Sequence, residues 1–451
     1  MFIGLSKKRS KKIKLNLFLS KIIKLKLFVT CLLCVFLIST SFAQSFSSLE
    51  RSELKDMLNA VKKAVKENYY DPTYKGIDLD AKAKIAEEKM SKATSKGQGL
   101  GIIAQFVMEL NDSHTRFYPP EIATKFEYGW KMQMFGDKCY ISAVKPKSDA
   151  EKQGLKIGDE VLAIEGFRPN RKEMWKINYY YNVLSPRAGI NFKVKSPNDE
   201  QPRDLNIATK VTPGQARLSI QDLYRRYELS DEVVENRFVK INNTFIWKMP
   251  TFSIDPLVIS NIMLERVNKS ANFILDLRDN SGGYVVSLEE LAGFFVEKDT
   301  KIADLVGRKK MDPQMAKTKG ANTFKGKVIV LLNSGSASAS EIFARFLQIN
   351  ERGVVIGDQS AGAVMQSRGF PMEMGSGAIV RYGMNMTNAD VIMTDGKSIE
   401  HFGVTPHILL VPTGEDLANQ RDPVLSAALQ LLEEKVSPEE AGKLFPFKWE
   451  D

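Results

Sequence analysis

Residues 328–347 constrain the fold more than any other part of the chain. Val328-Ile329-Val330-Leu331-Leu332 is a β-branched apolar run that predicts a strand buried on both faces. Ile342-Phe343-Ala344-Arg345-Phe346-Leu347 has helical periodicity. Between them lies Asn333-Ser334-Gly335-Ser336-Ala337-Ser338-Ala339-Ser340-Glu341, made almost wholly of small residues. Strand, tight turn and helix form the building unit of an α/β core. Such a turn can expose a serine hydroxyl at a helix N-terminus, where free N–H groups favour developing negative charge. The plainer alternative is a serine-rich N-cap with Glu341 in the first helical turn.

A chain of 451 residues exceeds one ordinary core, so two or three domains are expected. The formal charge of +10 is misleading. Nine of the 64 Lys and Arg residues lie in residues 1–43, which hold no Asp or Glu; the remaining 55 face 54 acidic residues. Nucleic-acid binding therefore loses its electrostatic support. The same segment has a basic start and an apolar stretch over 27–38. Ser39-Thr40-Ser41-Phe42-Ala43 then precedes Gln44. This reads as an export signal over residues 1–43, cut after Ala43, which implies a periplasmic or extracellular protein. The membrane is involved only through this leader if it stays uncleaved. Cys139 is the one cysteine after cleavage, so stability rests on packed cores and not on disulfides.

Leu54, Met57, Leu58, Val61 and Ala64 recur at helical spacing, as do Ile102, Ile103, Phe106, Val107 and Leu110. They predict a helical region over 46–118. Beyond about 125 the chain changes to short strands and turns. Ser148-Asp149-Ala150-Glu151-Lys152-Gln153-Gly154-Leu155 and Lys156-Ile157-Gly158-Asp159-Glu160-Val161-Leu162-Ala163-Ile164-Glu165-Gly166 together resemble a PDZ domain, here spanning 125–212. Its marks are a small helix, G-L-x-x-G-D and a strand ending in Gly. The resemblance implies a loop of N–H groups that grips a peptide C-terminal carboxylate while the peptide adds as a strand. By order along the chain, Tyr128-Gly129-Trp130-Lys131-Met132 is that peptide-binding loop; the alternative is a strand start with a core Trp. Strands and helices alternate from about 236, which predicts an α/β core.

Only three histidines occur, His114, His401 and His407. His114 lies in Asn111-Asp112-Ser113-His114-Thr115-Arg116, and histidine is well suited to take a proton from serine near neutral pH. Asp276-Leu277-Arg278-Asp279-Asn280-Ser281-Gly282-Gly283 follows a predicted strand, and its glycines can turn N–H groups into an oxyanion hole. Glu400, in Gly396-Lys397-Ser398-Ile399-Glu400-His401-Phe402-Gly403-Val404-Thr405-Pro406, can orient a catalytic histidine. No His/Cys cluster offers a metal-ligand set, and no metal or organic cofactor is implied.

These motifs, in this order, resemble the S41 peptidases, the family of C-terminal processing and tricorn-core-like proteases. The processing proteases use a Ser-Lys dyad whose lysine lies in a T-F-G-K-G loop. Here that loop reads Gln359-Ser360-Ala361-Gly362-Ala363-Val364, with Ala363 at the lysine position. The tricorn-like design is a Ser-His-Ser-Glu tetrad. The resemblance carries it onto Ser338 as nucleophile, His114 as base, Glu400 as orienting carboxylate and Ser113 as outer member. Ser336 and Ser340 are the other serines open to the nucleophile role, and His401 competes with His114. The oxyanion hole is assigned to Ala339 with Gly282 or Gly283. His407 stands where the family commonly has Asp after G-V-x-P.

The expected architecture is multidomain α+β. An N-terminal helical region and a PDZ-like β-rich domain precede a ClpP/crotonase-like α/β peptidase core over 213–412, with a C-terminal helix, 422–434, and tail in 413–451. The expected function is that of an exported serine endopeptidase acting on protein or peptide substrates. Two rivals are a catalytically silent binding protein on the same scaffold, recognising peptide C-termini or an apolar ligand, and an envelope component anchored by its leader.

Overall fold

The computed structural model describes residues 46–120, 124–213, 234–375 and 379–450; the predicted leader, 1–43, lies outside them, as does the stretch 214–233 where the core was expected to begin. Three helices open the described chain: α1 (Ser48–Asn68), α2 (Leu79–Ser91) and α3 (Lys96–Met108). Each starts on a side-chain cap, from Ser47, Asp78 and Ser95 respectively. At α1 the cap is reciprocal: Glu50 N–H donates to Ser47 Oγ at 3.1 Å and Ser47 N–H to Glu50 Oε2 at 2.9 Å. The apolar stripe of α1, Leu54, Met57, Leu58, Val61 and Val65, is buried. It packs with α3 and with Met384 and Met386 of a sheet below. No described helix is long and apolar enough to cross a membrane.

The chain leaves α3 through residues 109–115 into β1 (Arg116–Tyr118). Next come β2 (Thr124–Glu127) and the strands of a middle unit: β3 (Trp130–Phe135), β4 (Lys138–Val144), β5 (Glu160–Ile164), β6 (Gly189–Lys195) and β7 (Arg203–Ala208). These five form one antiparallel sheet in the order β3-β4-β5-β6-β7, which leaves β3 at an edge. A short helix, α4 (Asp149–Lys152), is capped by Ser148, and α5 (Met174–Tyr179) precedes a wider turn over 180–184. Met134, Ile141, Leu155, Val161, Phe192 and Val194 make a separate core here. β8 (Lys210–Pro213) pairs with β2, so the chain enters and leaves this unit side by side.

The last unit holds a six-stranded sheet of β9 (Arg237–Ile241), β10 (Thr244–Lys248), β11 (Asn272–Asp276), β14 (Lys327–Leu332), β15 (Val354–Gly357) and β18 (Ile408–Leu409), in the order β18-β15-β14-β11-β10-β9. All neighbours are parallel except β9 with β10. Alternate residues serve opposite faces, as strand geometry requires. Trp247, Leu275 and Val330 enter the core beneath α6 (Pro256–Glu265), α7 (Val285–Gly293) and α8 (Ala339–Ile349). Ile246, Ile274, Ile329 and Leu331 meet α10 (Pro423–Leu431) and α11 (Pro438–Gly442) on the other face, after the short α9 (Gly414–Ala418). The C-terminal helix expected over 422–434 stands as α10, and α11 follows beyond that range. A second sheet, from β1, β12 (Thr300–Val306), β13 (Gln314–Ala316), β16 (Met365–Met374) and β17 (Val380–Met393), joins the helical unit to the core through the β1–β17 pairing.

The register of the large sheet positions the site. Asp276 lies opposite Leu331 in the parallel pair β11–β14, so the loops after both strands leave from the same edge, side by side. Arg278 fixes the first loop. Its guanidinium donates from Nε to Asp276 Oδ1 at 2.9 Å and from Nη2 to Oδ2 at 2.7 Å, and also grips both oxygens of Asp422, the N-cap of α10. Asp276 is wholly buried, yet Arg278 and Lys248 overcome that burial and hold its carboxyl well below the usual range. Its stabilisation is present above the unfolded carboxylate pKa and is lost only as pH falls towards the depressed value. Arg278→Ala leaves the buried carboxylate with the backbone N–H of residue 278 and, as its one charged neighbour, Lys248 at 3.7 Å. Urea unfolding should show a loss of about 3–5 kcal/mol, and Arg278→Lys a smaller one.

Candidate active site

Ser338 is the N-cap of α8 and carries φ 55° and ψ −119°. A non-glycine residue held there stores on the order of 1–3 kcal/mol of strain. The tight turn from β14 into α8 requires it, because the chain must reverse within the small residues 333–337. Ser338 N–H donates to Ala363 O at 2.8 Å and to Glu341 Oε2 at 3.0 Å, which holds the turn in place. The two neighbouring serines are engaged elsewhere. Ser336 Oγ donates to Leu277 O at 2.8 Å and Ser340 Oγ to Asn280 O at 2.9 Å, and both are fully buried. Ser338 alone of the three is partly exposed.

The loop after β11 packs directly on this turn. A Cβ on Gly282, at φ 101°, would stand 2.7 Å from Ser338 Cβ and 2.9 Å from Ala337 O, so no larger residue fits. Gly283, at φ 142°, is confined by Phe252 and Ser253 in the same way. Their N–H groups have different fates. Gly282 N–H donates to Asn280 Oδ1 at 2.9 Å and is already used. Gly283 lies opposite Phe252 in a parallel bridge, whose bonds are Phe252 N–H to Gly282 O and Tyr284 N–H to Phe252 O. That pattern turns the N–H of Gly283 away from Phe252. Ala339 N–H is the first of α8 and has no intrahelical acceptor.

Ser113, His114 and Glu400 are joined by hydrogen bonds. Ser113 Oγ lies 2.7 Å from His114 Nδ1 and donates to Glu400 Oε2 at 2.9 Å, while Ser113 N–H donates to Glu400 Oε1 at 2.8 Å. With its hydrogen on Glu400, the Ser113 hydroxyl accepts from Nδ1–H, which leaves Nε2 as the free base nitrogen. Asp112 builds the turn that presents the pair. Its Oδ1 accepts from His114 N–H at 3.0 Å, Thr115 N–H at 2.6 Å and Thr387 Oγ1 of β17 at 2.8 Å. His114 is buried, and that burial with the nearby Arg116 guanidinium lowers its pKa to about 4, against the opposing pull of Asp112. Burial pushes Glu400 upward. His401 is half-exposed, with Nε2 3.1 Å from Asn111 O and 3.7 Å from Glu400 Oε1. His407 Nδ1 accepts from Val355 N–H at 2.9 Å and has a structural place beside β15.

The loop 359–364 links these groups. Glu341, fully buried, accepts from Ser360 Oγ at 2.5 Å, Gly362 N–H at 2.7 Å and Ala363 N–H at 2.9 Å, besides Ser338 N–H. Burial pushes its pKa up to about 7, against four hydrogen bonds that favour the charged form. The next residue, Val364, donates its N–H to Glu400 Oε2 at 2.7 Å. Ser338 and Glu400 are therefore bound to consecutive residues, Ala363 and Val364. Glu341, Asp112, Asn280 and Thr387 escaped the sequence reading. The i, i+3 spacing of Ser338 and Glu341 signals a cap, and nothing local reveals that Glu341 also gathers a loop some twenty residues on.

Tyr128-Gly129-Trp130-Lys131-Met132 leads into and along the edge strand β3. Trp130 packs edge-on against Phe192 with centroids 4.8 Å apart, so its ring belongs to the middle core. Gly129, at φ 74°, accepts from Lys145 N–H at 2.9 Å. β3 reaches the site loops: Gln133 Nε2 donates to Asp279 Oδ1 at 2.7 Å and Ser334 Oγ to Met134 O at 2.5 Å. A cavity of about 610 Å³ runs from Tyr128 and Tyr181 to Asp279, Asn333 and Gly335.

Residues 249–410, which hold Ser338, Gly282, Gly283 and Glu400, match the profile of Peptidase family S41. Over this stretch the chain is similar to peptidase family S41. It is 26% identical over 345 residues to the carboxyl-terminal-processing peptidase 1, chloroplastic, of Arabidopsis thaliana, covering 72% of this chain and 65% of that protein. It is 27% identical over 312 residues to the carboxy-terminal-processing protease of Bartonella bacilliformis, covering 66% of each. The chain thus spans just under two thirds of the length of these relatives. Its fold is similar to that of mature CPAF, with a TM-score of 0.61, 15% identity, and coverage of 82% of this chain and 95% of that one. Among the described residues, no group of three or more His, Cys, Asp or Glu is placed to hold a metal ion.

Glu341→Gln tests the loop anchor. An amide nitrogen facing the N–H groups of Gly362 or Ala363 cannot accept from them. Each donor left unpaired costs about 1–3 kcal/mol. The variant should stay folded by circular dichroism, melt earlier, and lose at least about tenfold in reaction with a fluorophosphonate probe, since one lost kcal/mol-scale contact at the nucleophile turn shifts the barrier by a comparable amount.

Proposed function

We propose that the chain is an exported serine endopeptidase that hydrolyses peptide bonds of protein or peptide substrates. Ser338 is the nucleophile, His114 the general base, Glu400 the orienting carboxylate and Ser113 the bridge between them. One observation carries the reading: the run His114–Ser113–Glu400 is hydrogen-bonded throughout and tied through Val364 and Ala363 to the backbone of Ser338. Ser338 Oγ attacks the carbonyl carbon while Nε2 of His114 takes its proton. The developing oxyanion is met by the N–H groups of Ala339 and Gly283. Gly282, whose N–H is used by Asn280, shapes the hole without donating to it. The imidazolium returns its proton to the leaving amine, and water attacks the acyl-enzyme by the same route. At the lysine position of the processing proteases, Ala363 lends only its backbone: its C=O to Ser338 and its N–H to Glu341.

The middle unit is proposed as a PDZ-like domain that recruits substrates by a free C-terminus. The edge position of β3, the turn at Gly129 and the likeness to carboxyl-terminal-processing relatives support this.

Ser338→Ala should abolish fluorophosphonate labelling and peptide hydrolysis with the fold intact. Ser338→Gly should be equally inactive and more stable, because glycine relieves the positive φ. Labelling that survives in Ser338→Ala and disappears in Ser336→Ala or Ser340→Ala would move the nucleophile. A silent scaffold would label in no variant.

The pH profile tests the base. With the His114 pKa lowered to about 4, the neutral imidazole persists below the ordinary histidine range. The acid limb of kcat/KM should therefore fall well under the usual imidazole pKa of about 6.5. A limb at or above that value, or full activity in His114→Ala, would remove His114 from the role.

A substrate with an amidated C-terminus should show a raised KM and little change in kcat. Charge-assisted bonds to a carboxylate are worth about 1.5–3 kcal/mol each. Equal turnover of free and amidated substrates below saturation would assign the middle unit another task.

A further inference from the structure

The edge of β3 is not empty. Residues 445–450 cross the groove beside it, held at both ends. On the core side Arg237 Nη1 donates to Pro446 O at 2.5 Å, and Lys448 pairs with Glu235. On the middle unit Lys145 Nζ donates to Glu450 O at 3.0 Å while its other partner, Glu127, lies 2.8 Å away. Between these anchors, Phe447 and Trp449 stand two residues apart, as alternate positions of an extended chain do, with their rings 5.0 Å centroid to centroid. Lys131 Nζ sits over the Phe447 ring at 4.9 Å and Lys145 Nζ over Trp449 at 5.8 Å. Both rings line the same cavity as Tyr128, Ile177 and Tyr181. Two lysines, Lys131 in the edge strand β3 and Lys145 just after its neighbour β4, thus receive two aromatic faces, in a sequence that continues into Glu450 and Asp451.

We propose that residues 445–450 are the resident ligand of the β3 groove. The peptides that displace them carry aromatic side chains two residues apart followed by an acidic residue. The proposal rests on the recruitment reading above and deepens it: the tail competes with substrate for one groove and displays the side-chain pattern that the groove accepts. The cavity continues from Phe447 and Trp449 to Asp279 and Gly335 beside the nucleophile turn. A peptide seated on β3 in place of the tail therefore has a path towards Ser338.

The test uses the full chain and two variants: the chain ended after Pro446, which keeps Phe445 in its packing, and the double variant Phe447→Ala, Trp449→Ala. The probe is a fluorescein-labelled peptide of residues 445–451, followed by anisotropy. Both variants should bind it at least ten times more tightly than the full chain. A peptide with alanine at both aromatic positions should bind neither variant. Equal affinity for all three proteins overturns the competition, and so does the absence of binding to either variant. Equal binding of the alanine peptide overturns the aromatic pattern. Fluorophosphonate labelling of the three proteins, measured in parallel, reads the Ser338 chemistry separately. Labelling together with failed peptide binding would reject this proposal and keep the peptidase reading.

Discussion

The buried carboxylate of Glu341 is the contact on which the rest of the site depends. Four donors converge on it from two segments of the chain that share no local geometry, the nucleophile turn and the 359–364 loop. Ser338 cannot hold its strained backbone without an acceptor for its N–H, and that loop supplies the second acceptor at Ala363 O. The same loop then offers Val364 N–H to Glu400. Strain in the turn, placement of the loop and orientation of the orienting carboxylate are therefore one coupled arrangement. Burial alone would push Glu341 towards its neutral form, and the convergent donors oppose that. A carboxylate so placed is tolerated because every lone pair has a partner, which an apolar residue in its position could not provide.

Much of this arrangement was legible in the residues, and the limits of legibility have physical causes. Helical periodicity in 47–112 and the β-branched run at 328–332 are local signals, and helices and a central strand stand at those places. Ser338, His114 and Glu400 sit in turns whose glycine and polar patterns mark them as unusual. The sequence left Gly282 and Gly283 open as oxyanion donors. Only the bond from Gly282 N–H to Asn280 separates them, and that bond depends on a side-chain rotamer. Asp112 reads as an ordinary loop residue, because its reason for being there is Thr387, far along the chain in β17. The C-terminal segment was expected only as a helix and a tail. Its anchors, Arg237 and Lys145, belong to two different units, so no window of sequence contains the interaction.

His114 and Ser338, the proposed base and nucleophile, come from different units. His114 is set by the turn between α3 and β1, Ser338 by the core sheet. The seating of the His114 turn on the core depends on β1 pairing with β17, on Thr115 Oγ1 and Asp112 holding Thr387, and on the helical cluster packing against Met384 and Met386. A lysine base in the 359–364 loop would lie within the core itself and would not need this docking. With Ala363 in that position, competence becomes a property of the interface between helical unit and core. Burial of His114 at that interface lowers the pKa of the proposed base, so the packing that holds its turn also sets its proton affinity. Local opening of the helical unit, which needs far less free energy than global unfolding, would both separate the base from the nucleophile and return the imidazole to its ordinary pKa. The tail adds a second tie between units, since it straps the core to the middle unit across the cavity that reaches Asp279 and Gly335. The proposed catalytic groups are thus distributed over units whose packing fixes where each one stands.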